Sequence, residues 1–567
     1  DWQPGRFGGT LRMATARTDL CAELWDASAE PPLMAAGKLR VGSVAEVTPN
    51  VLSAYEISED LLTITFHMRK GLKWSDGTPC TTADVLFWYE DVLKNEEITP
   101  TPGKIYKSGN RVDGTLMDLE VVDDYTFRVM FDEPGLALVA NWSTYSQVWS
   151  AFMRPAHYMK QFHKKYADAD ELNALLAEAN IPAEEWWRYY LQRDEGTQTW
   201  TLLRCADPAY PTLAPWILET ESSGLKTYVR NPYYWKVDTE GKQLPYIDRI
   251  RVEILSNSEA VTMKILAGEV DWAREYASMV NLPLYKENEE RSGFRTMTLP
   301  TFTAPLQMRF NYTNPDPVWR ETVRDVRFRK ALNMAINHMQ IVDIVYNGFA
   351  AEPDIIGLPY DPDGANALLD EMGMDQRDGE GFRLGIDGQP FTFPLEVRQG
   401  YTPEQDALCE LLVEYWQDVG IRTDFRNIEN TLYEARHNAN ELYVNMSWAH
   451  TGFWRNSPTY NDYVPDASRL WGLWVASGGT EGEEPDLPWA ARLFEIAAQA
   501  DAYVMTDADT KALHEEMFEI LRTEVPTVLP IDHTVGTLIG SVKLANIPHD
   551  GIVTLASFTQ EQFYYNE

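Results

Sequence analysis

The segment WAHTGFWRNSP, residues 448–458, places aromatic and hydrogen-bonding side chains next to one another. Trp448 and Trp454 occur in it together with His450 and Arg455. Aromatic faces bind flat apolar surfaces, while polar groups between them fix a bound molecule through hydrogen bonds. The combination predicts a binding site for a ligand with flat apolar faces and a polar edge, such as an oligosaccharide or a peptide. For Trp454, packing of the loop against its own domain is an equally good interpretation.

The run LYVNMS before this segment is typical of a buried strand, and its Asn445 is a further candidate for a polar contact. Phe, Trp and Tyr make up 12% of the chain, which holds 19 tryptophans. Because a buried indole N–H needs a partner, this excess favours either many amphipathic core positions or broad apolar binding faces. For any single tryptophan, the core position is the better interpretation.

No pattern of catalytic or metal-binding residues stands out. The nine histidines are dispersed, and HEEMFEI at His514 lacks a second histidine on the same helical face. Neither a phosphate-binding glycine loop nor a nucleophile elbow is present. The 86 acidic residues will form glycosidase-like carboxylate pairs by chance, so a carbohydrate-active enzyme is only a rival hypothesis. We predict a protein that is not an enzyme, with no catalytic residue, metal ion or cofactor.

Length and charge limit the remaining classes. A chain of 567 residues exceeds one hydrophobic core, so several domains are expected. No apolar run has the length of a membrane-spanning helix. The net charge of −37 would repel nucleic-acid phosphates and anionic membranes, which argues against both as partners.

Two features leave their alternatives open. The chain begins at Asp1, which fits numbering after a removed secretory signal but also fits an expression product. The scattered cysteines allow disulfide bonds in an oxidising compartment, and buried free thiols are an equally good interpretation. They are Cys21, Cys80, Cys205 and Cys409.

Strand-like and helix-like patterns alternate, which predicts an α/β fold. LLTITFHMRK alternates with the period of a strand, a turn at Asp76 and Gly77 follows, and Thr81 and Asp84 have the spacing of a capping box. The predicted apolar stripe of the next helix consists of Val85, Leu86, Tyr89, Val92 and Leu93.

Two further regions have helical periodicity. One runs from Glu404 to a stop at Gly420, followed by the strand IRTDFRNI. The other, RDVRFRKALNMAINHMQIVDIVYNG, reads as one long helical region that Asn347 and Gly348 close. If the last short segment of the chain packs on the first, the domains are discontinuous.

Several of these stretches resemble one protein family. PNVLSAYEISEDLLTITFHMRKGLKWSDGTPCTTADVLFWYEDVL, residues 49–93, is similar to the signature of the extracellular solute-binding proteins of family 5, which serve ABC importers of peptides, nickel and oligosaccharides. The resemblance continues through RNPYYW, KILAGEVDWA and the long helical region, and it ends with LRTEVPTVLPI. These motifs cover most of the chain.

The resemblance implies a periplasmic-binding-protein clamshell of the three-domain type, with two α/β lobes joined by a hinge and one extra domain. Domain I would combine residues 1–48, 195–300 and 526–567. Domain II, an extension of the first lobe, would be 49–194, and domain III, the second lobe, would be 301–525. A ligand that touches both lobes shifts the population towards the closed state, which a membrane permease recognises.

The resemblance also places ligand-binding candidates. Trp448 would form an aromatic wall from domain III, with Asn445, His450, Trp454 and Arg455 near it. Glu23 and Trp25 would lie near a cleft-facing loop of domain I.

In peptide-binding members of the family, an aspartate after the strand tryptophan pairs with the peptide ammonium group, whereas this position falls on Thr451. A buried ammonium without a counter-charge is unfavourable by several kcal/mol. This departure favours an oligosaccharide over a peptide or an opine-like ligand.

As partners we expect this small-molecule ligand and the permease subunits, with a monomeric protein in the periplasm or anchored outside the cytoplasm by lipid. A signalling or chaperone-like receptor with the same clamshell stays open.

Overall fold

The computed structural model describes residues 2–35, 41, 43–144, 148–197, 207–301, 303–402, 404–450, 463–505, 507–551 and 557–566. Its strands are β1 (Thr10–Thr15), β2 (Leu33–Ala35), β3 (Val47–Pro49), β4 (Leu52–Ile57), β5 (Thr63–Met68), β6 (Asp118–Asp123), β7 (Thr126–Met130), β8 (Trp216–Ser222), β9 (Leu225–Arg230), β10 (Arg249–Ile254), β11 (Trp272–Ala273), β12 (Phe294–Pro300), β13 (Thr303–Phe310), β14 (Phe393–Arg398), β15 (Thr423–Ile428), β16 (Val444–His450), β17 (Thr527–Val528), β18 (Val535–Ser541), β19 (Leu544–Ala545) and β20 (Tyr564–Tyr565).

Its helices are α1 (Ala22–Ser28), α2 (Thr82–Phe87), α3 (Ala137–Trp142), α4 (Ala156–Met159), α5 (Ala169–Glu178), α6 (Trp186–Arg193), α7 (Ser258–Leu266), α8 (Leu282–Ser292), α9 (Pro317–Arg324), α10 (Val326–Met334), α11 (His338–Tyr346), α12 (Pro362–Glu371), α13 (Gln405–Asp418), α14 (Asn430–Asn438), α15 (Arg469–Ala476), α16 (Pro488–Asp501) and α17 (Asp507–Glu524). Within the ranges given above, no helix combines the length and apolar character needed to cross a bilayer.

Two sheets in the predicted domain I combine segments that are far apart in the chain. In one, β1 pairs in parallel with β10, and β9 and β8 follow in antiparallel order. In the other, β18 from the C-terminal region lies between β11 and β12. Gln560 Nε2 also donates a hydrogen bond to the carbonyl of Glu23 at 2.8 Å. The last segment of the chain therefore packs on the first.

The antiparallel sheet β4-β5-β7-β6 forms the centre of domain II. Ile64, Phe66 and Met68 of β5 alternate into the core, which confirms the predicted strand. The predicted capping box at the start of α2 is also present, because the Thr81 hydroxyl and the Asp84 carboxylate each accept a backbone N–H of the first turn. These two signals position the helix on the sheet.

The helix after this cap differs from a regular α-helix. α2 ends at Phe87, and residues 88–93 continue with π-helical hydrogen bonds. The predicted stripe is buried except at Leu86, which is 41% exposed, whereas Phe87 and Trp88 are buried. The buried face therefore lacks Leu86 and includes Phe87 and Trp88, which the predicted stripe did not contain.

Domain III contains the sheet β16-β13-β17 and the parallel pair β14 and β15. α13 connects β14 to β15, and its predicted stop is confirmed by Gly420, whose φ of 86° suits glycine. The second helical region is interrupted, because α10 and α11 are separate helices with side-chain caps at Asp325 and Asn337. Asn347 then ends α11 in the left-handed conformation.

The division into domains stays a prediction. Near its boundaries, some residues of the predicted domain I pack into the cores of the neighbouring domains. Leu33 and Val47 belong to the hydrophobic core of domain II. Val528 and Ile531 belong to that of domain III. Cys21, Cys80 and Cys409 are buried free thiols, whereas Cys205 lies outside the described residues.

Asp84 offers a test of how domain II is held together. It is 4% exposed and accepts hydrogen bonds from the backbone N–H groups of Thr81 and Ala156, each at 3.0 Å, and from the Trp74 indole N–H at 3.2 Å. Asp84→Ala leaves these donors unpaired, so we expect a loss of about 3 kcal/mol in unfolding free energy by chemical denaturation. The control, Asp113→Ala, removes a side chain that is 77% exposed. Equal stability of the two variants would contradict this role.

Candidate ligand-binding cleft

A cleft of about 620 Å³, part of it open to solvent, lies between segments of the predicted domains I and III. Domain I lines it with the segment after β11 and with the start of β18, and domain III lines it from the end of α11, the loop before α13 and the end of β16. The side chains used below are Arg274, Glu275, Tyr401, Glu404 and Trp448. They come from segments far apart in the chain, so the cleft exists only when both domains are folded and adjacent.

Trp448 is exposed in this cleft because of its place on β16. Val444 and Met446 of the same strand are buried in the domain III core, and the period of two puts Trp448 on their face, beyond the core. The opposite strand has a bulge here, since the register passes from Ala304–Ala449 to Gln307–Ser447. Trp448 is 40% exposed. The centroid of its ring lies 5.5 Å from that of Tyr401, and the two ring planes are inclined at 47°. Among the described tryptophans, only Trp2 and Trp448 are exposed to this extent.

Asn445 is directed differently from Trp448. It lies one strand position from the core-facing Val444 and Met446, and its Oδ1 accepts a hydrogen bond from Arg309 Nη2 at 3.3 Å. Arg309 also pairs with Asp466. Asn445 is therefore not among the residues that line the cleft, and its role in binding stays a prediction.

His450 ends β16, where its backbone pairs with Thr303. Its side chain, Trp454 and Arg455 lie outside what the structure describes, as does Thr451. The predictions made for them are unchanged.

Glu23 lies behind the cleft wall. It is 1% exposed on α1, and its Oε1 accepts the backbone N–H groups of Arg274 at 2.6 Å and of Glu275 at 2.9 Å. Trp25, half-buried on the same helix, does not line the cleft either. Glu23 therefore holds the backbone that presents two charged side chains to the ligand space, and direct contact by Glu23 or Trp25 stays a prediction.

Arg274 is held by a buried carboxylate. Its Nε donates a hydrogen bond to Asp26 Oδ2 at 3.0 Å, and its Nη2 lies 2.9 Å from the same oxygen in an ion pair. Burial raises the pKa of Asp26 to about 7, and the Arg274 guanidinium opposes this rise. The ion pair fixes the orientation of Arg274 at the cleft wall.

Glu404 connects the two domains at the edge of the cleft. Its Oε1 accepts hydrogen bonds from the Ser278 hydroxyl at 2.9 Å and from the Met279 N–H at 3.0 Å. The carboxyl group is largely buried, which raises its pKa, while these two hydrogen bonds act in the opposite direction. A domain III carboxylate is thereby bonded to the domain I segment that also carries Arg274 and Glu275.

Sequence reasoning did not find Arg274, Glu275, Tyr401 or Glu404 as site residues. Each is a single polar or aromatic residue within an ordinary stretch, and Glu404 was visible only as the start of a helical pattern. Chemically, the cleft offers an aromatic face and several hydrogen-bonding groups. Among the described residues, no cluster of histidine, cysteine or carboxylate side chains has the arrangement of a metal site.

Comparison with known proteins identifies the family. The family model "Bacterial extracellular solute-binding proteins, family 5 Middle" matches residues 46–468. The periplasmic alpha-galactoside-binding protein of Rhizobium meliloti (strain 1021) is 24% identical over 554 residues, covering 91% of this chain and 73% of the relative. The dipeptide-binding protein of Escherichia coli (strain K12) is 22% identical over 449 residues, covering 75% of this chain and 71% of the relative.

Solved structures show the same fold. The periplasmic binding protein MelB from Agrobacterium fabrum C58, in complex with stachyose, has a TM-score of 0.72 at 19% identity. The match covers 100% of this chain and 86% of MelB. An oligopeptide-binding protein OppA has a TM-score of 0.65 at 26% identity and is covered to 92%. The predicted α/β binding-protein fold is confirmed, and the chain belongs to the bacterial extracellular solute-binding proteins of family 5.

Proposed function

We propose that this protein is the substrate-binding component of an ABC importer and that its ligand is an oligosaccharide held between domains I and III. The observation that carries the proposal is Trp448, an exposed indole beside Tyr401 on one wall of the cleft, with Arg274 and Glu275 supplied by the other domain. An aromatic face can stack on the apolar face of a sugar ring. Guanidinium and carboxylate groups can bind its hydroxyl groups.

The relatives support a sugar without excluding a peptide. One relative is named as an alpha-galactoside-binding protein, and the MelB structure holds stachyose. The segment 448–458 contains no acidic residue that could pair with a peptide ammonium group. A peptide is the second candidate, because Glu275 and Glu404 bring carboxylates to the cleft from elsewhere in the chain and other relatives bind peptides.

Capture and release in this proposal require no covalent chemistry. A ligand that contacts both domains stabilises the closed form in proportion to its difference in affinity for the two forms. The closed monomer then delivers the ligand to the permease subunits from the periplasm. An oligosaccharide incubated with the protein is expected back unchanged, and release of shorter products at enzyme-like rates would contradict the proposal.

A thermal-shift screen separates the two ligand classes. Ligands that bind only the native state stabilise it by mass action and so raise the melting temperature. At a free ligand concentration of a hundred times the Kd, the stabilisation is about 2.7 kcal/mol. We expect stachyose and other neutral oligosaccharides to raise it and di- to pentapeptides to leave it unchanged. A rise with peptides alone would show that the ligand assignment is wrong.

Substitution of the cleft tryptophan tests the site itself. Trp448→Ala removes the stacking face, so we expect oligosaccharide binding to weaken by about 1–3 kcal/mol in isothermal titration calorimetry, with little change in melting temperature. The matched control is Trp2→Ala, which removes an indole of similar exposure, 44%, that does not line this cleft. If the Trp448→Ala variant bound with unchanged affinity, or if it unfolded, Trp448 would be a structural residue and not a ligand contact.

A further inference from the structure

Two carboxylates from different domains face the ligand space without a cation of their own. Glu275 lines the cleft from domain I and Glu404 from domain III. Burial raises the pKa of both carboxyl groups, and Glu404 adds a smaller rise to the pKa of Glu275. Above these raised pKa values both groups are ionised, and the pair then places a negative charge on each wall.

Each carboxylate keeps acceptor capacity for a ligand. In Glu404, both protein hydrogen bonds go to Oε1, and no described residue donates to Oε2. In Glu275, the backbone N–H is bound by Glu23, but no described residue donates to the side-chain carboxylate. An ionised carboxylate only accepts hydrogen bonds, so both groups suit a partner rich in donors.

The neighbouring cations are already engaged. The charged groups that act on Glu275 besides Glu404 are Arg274, Glu23 and Arg17. Arg274 makes a hydrogen bond and an ion pair with Asp26. Arg17 makes two hydrogen bonds to Asp19, at 2.9 and 2.7 Å. Each arginine thus has an aspartate of its own, and within the described residues neither arginine donates a hydrogen bond to Glu275 or Glu404.

Ligand charge should therefore decide binding. Sugar hydroxyl groups donate to carboxylates in short, charge-assisted hydrogen bonds. A ligand carboxylate would instead meet two like charges in a partly desolvated space, where repulsion is strong. Building on the proposed oligosaccharide function, we propose that Glu275 and Glu404 form a charge-selective pair that admits neutral and cationic saccharides and rejects uronate-bearing ones.

The test compares ligands that differ only in charge. Stachyose is oxidised at its primary hydroxyl groups to uronates, and part of the product is converted to the corresponding uronamides, which have nearly the same shape. Calorimetry of the full chain should give at least about tenfold tighter binding of the uronamide than of the uronate. The difference should shrink as salt is added, because added ions screen partly exposed charges.

Variants attribute this difference to the two residues. In E275Q/E404Q the ratio of the two affinities should fall to within about threefold, because the neutral amides no longer repel a carboxylate. The amide introduced by E404Q keeps an oxygen that can accept from Ser278 and Met279, and E275Q alone serves if the double variant does not fold. The matched control is Glu178→Gln, on the exposed face at the end of α5, which should retain the wild-type ratio.

The outcomes separate this inference from the proposed function. Equal affinity for uronate and uronamide, or a ratio unchanged in the glutamine variants, would overturn the charge-selective pair while leaving a sugar-binding protein. If stachyose binds and neither derivative does, size and not charge excludes the uronate, and the inference is wrong. If neither stachyose nor any other neutral oligosaccharide binds the folded protein, the proposed function fails and the inference fails with it.

Discussion

The carboxylate of Glu404 is the contact on which the shape of the cleft depends. It belongs to the start of α13 in domain III and is bonded to Ser278 and Met279 of the segment that follows β11 in domain I. These two hydrogen bonds hold the start of α13 against the segment after β11 at this point. The ligand space opens beside it, with Trp448 and Tyr401 on one side and Arg274 and Glu275 on the other.

The domain I wall is rigid for an electrostatic reason. A buried charge is tolerated only when it is paired or hydrogen-bonded. Glu23 meets this condition through two backbone N–H groups, and Asp26 meets it through Arg274. These contacts connect α1 to the segment after β11, roughly 250 positions later in the chain, and so prepare the wall before any ligand arrives. Preorganised polar groups lower the ordering cost of binding.

The domain III wall follows from strand geometry. β16 fills its domain with Val444 and Met446 and then carries the same face past the end of the core at Trp448. An exposed tryptophan in this position gives binding surface without weakening the core. Asn445, which lies between Val444 and Met446 in the strand, accepts a hydrogen bond from Arg309 and helps to support the sheet.

Local patterns in the sequence were sufficient for much of the scaffold. The alternation in β5, the capping box at Thr81 and Asp84, and the stop at Gly420 depend on neighbours a few residues apart, and all three are present. Local patterns failed where winding or capping changed within a helical region, at Leu86 and between α10 and α11.

The sequence by itself determined the family resemblance, the α/β class and the candidate status of Trp448, since these rest on short motifs and periodicity. Only the tertiary structure decided that Arg274, Glu275, Tyr401 and Glu404 join Trp448 around one cleft, and that Glu23 lies behind it. Hydrogen bonds and ion pairs between such distant positions produce no periodic pattern in the sequence, because each depends on one side chain and on how distant segments meet in the fold.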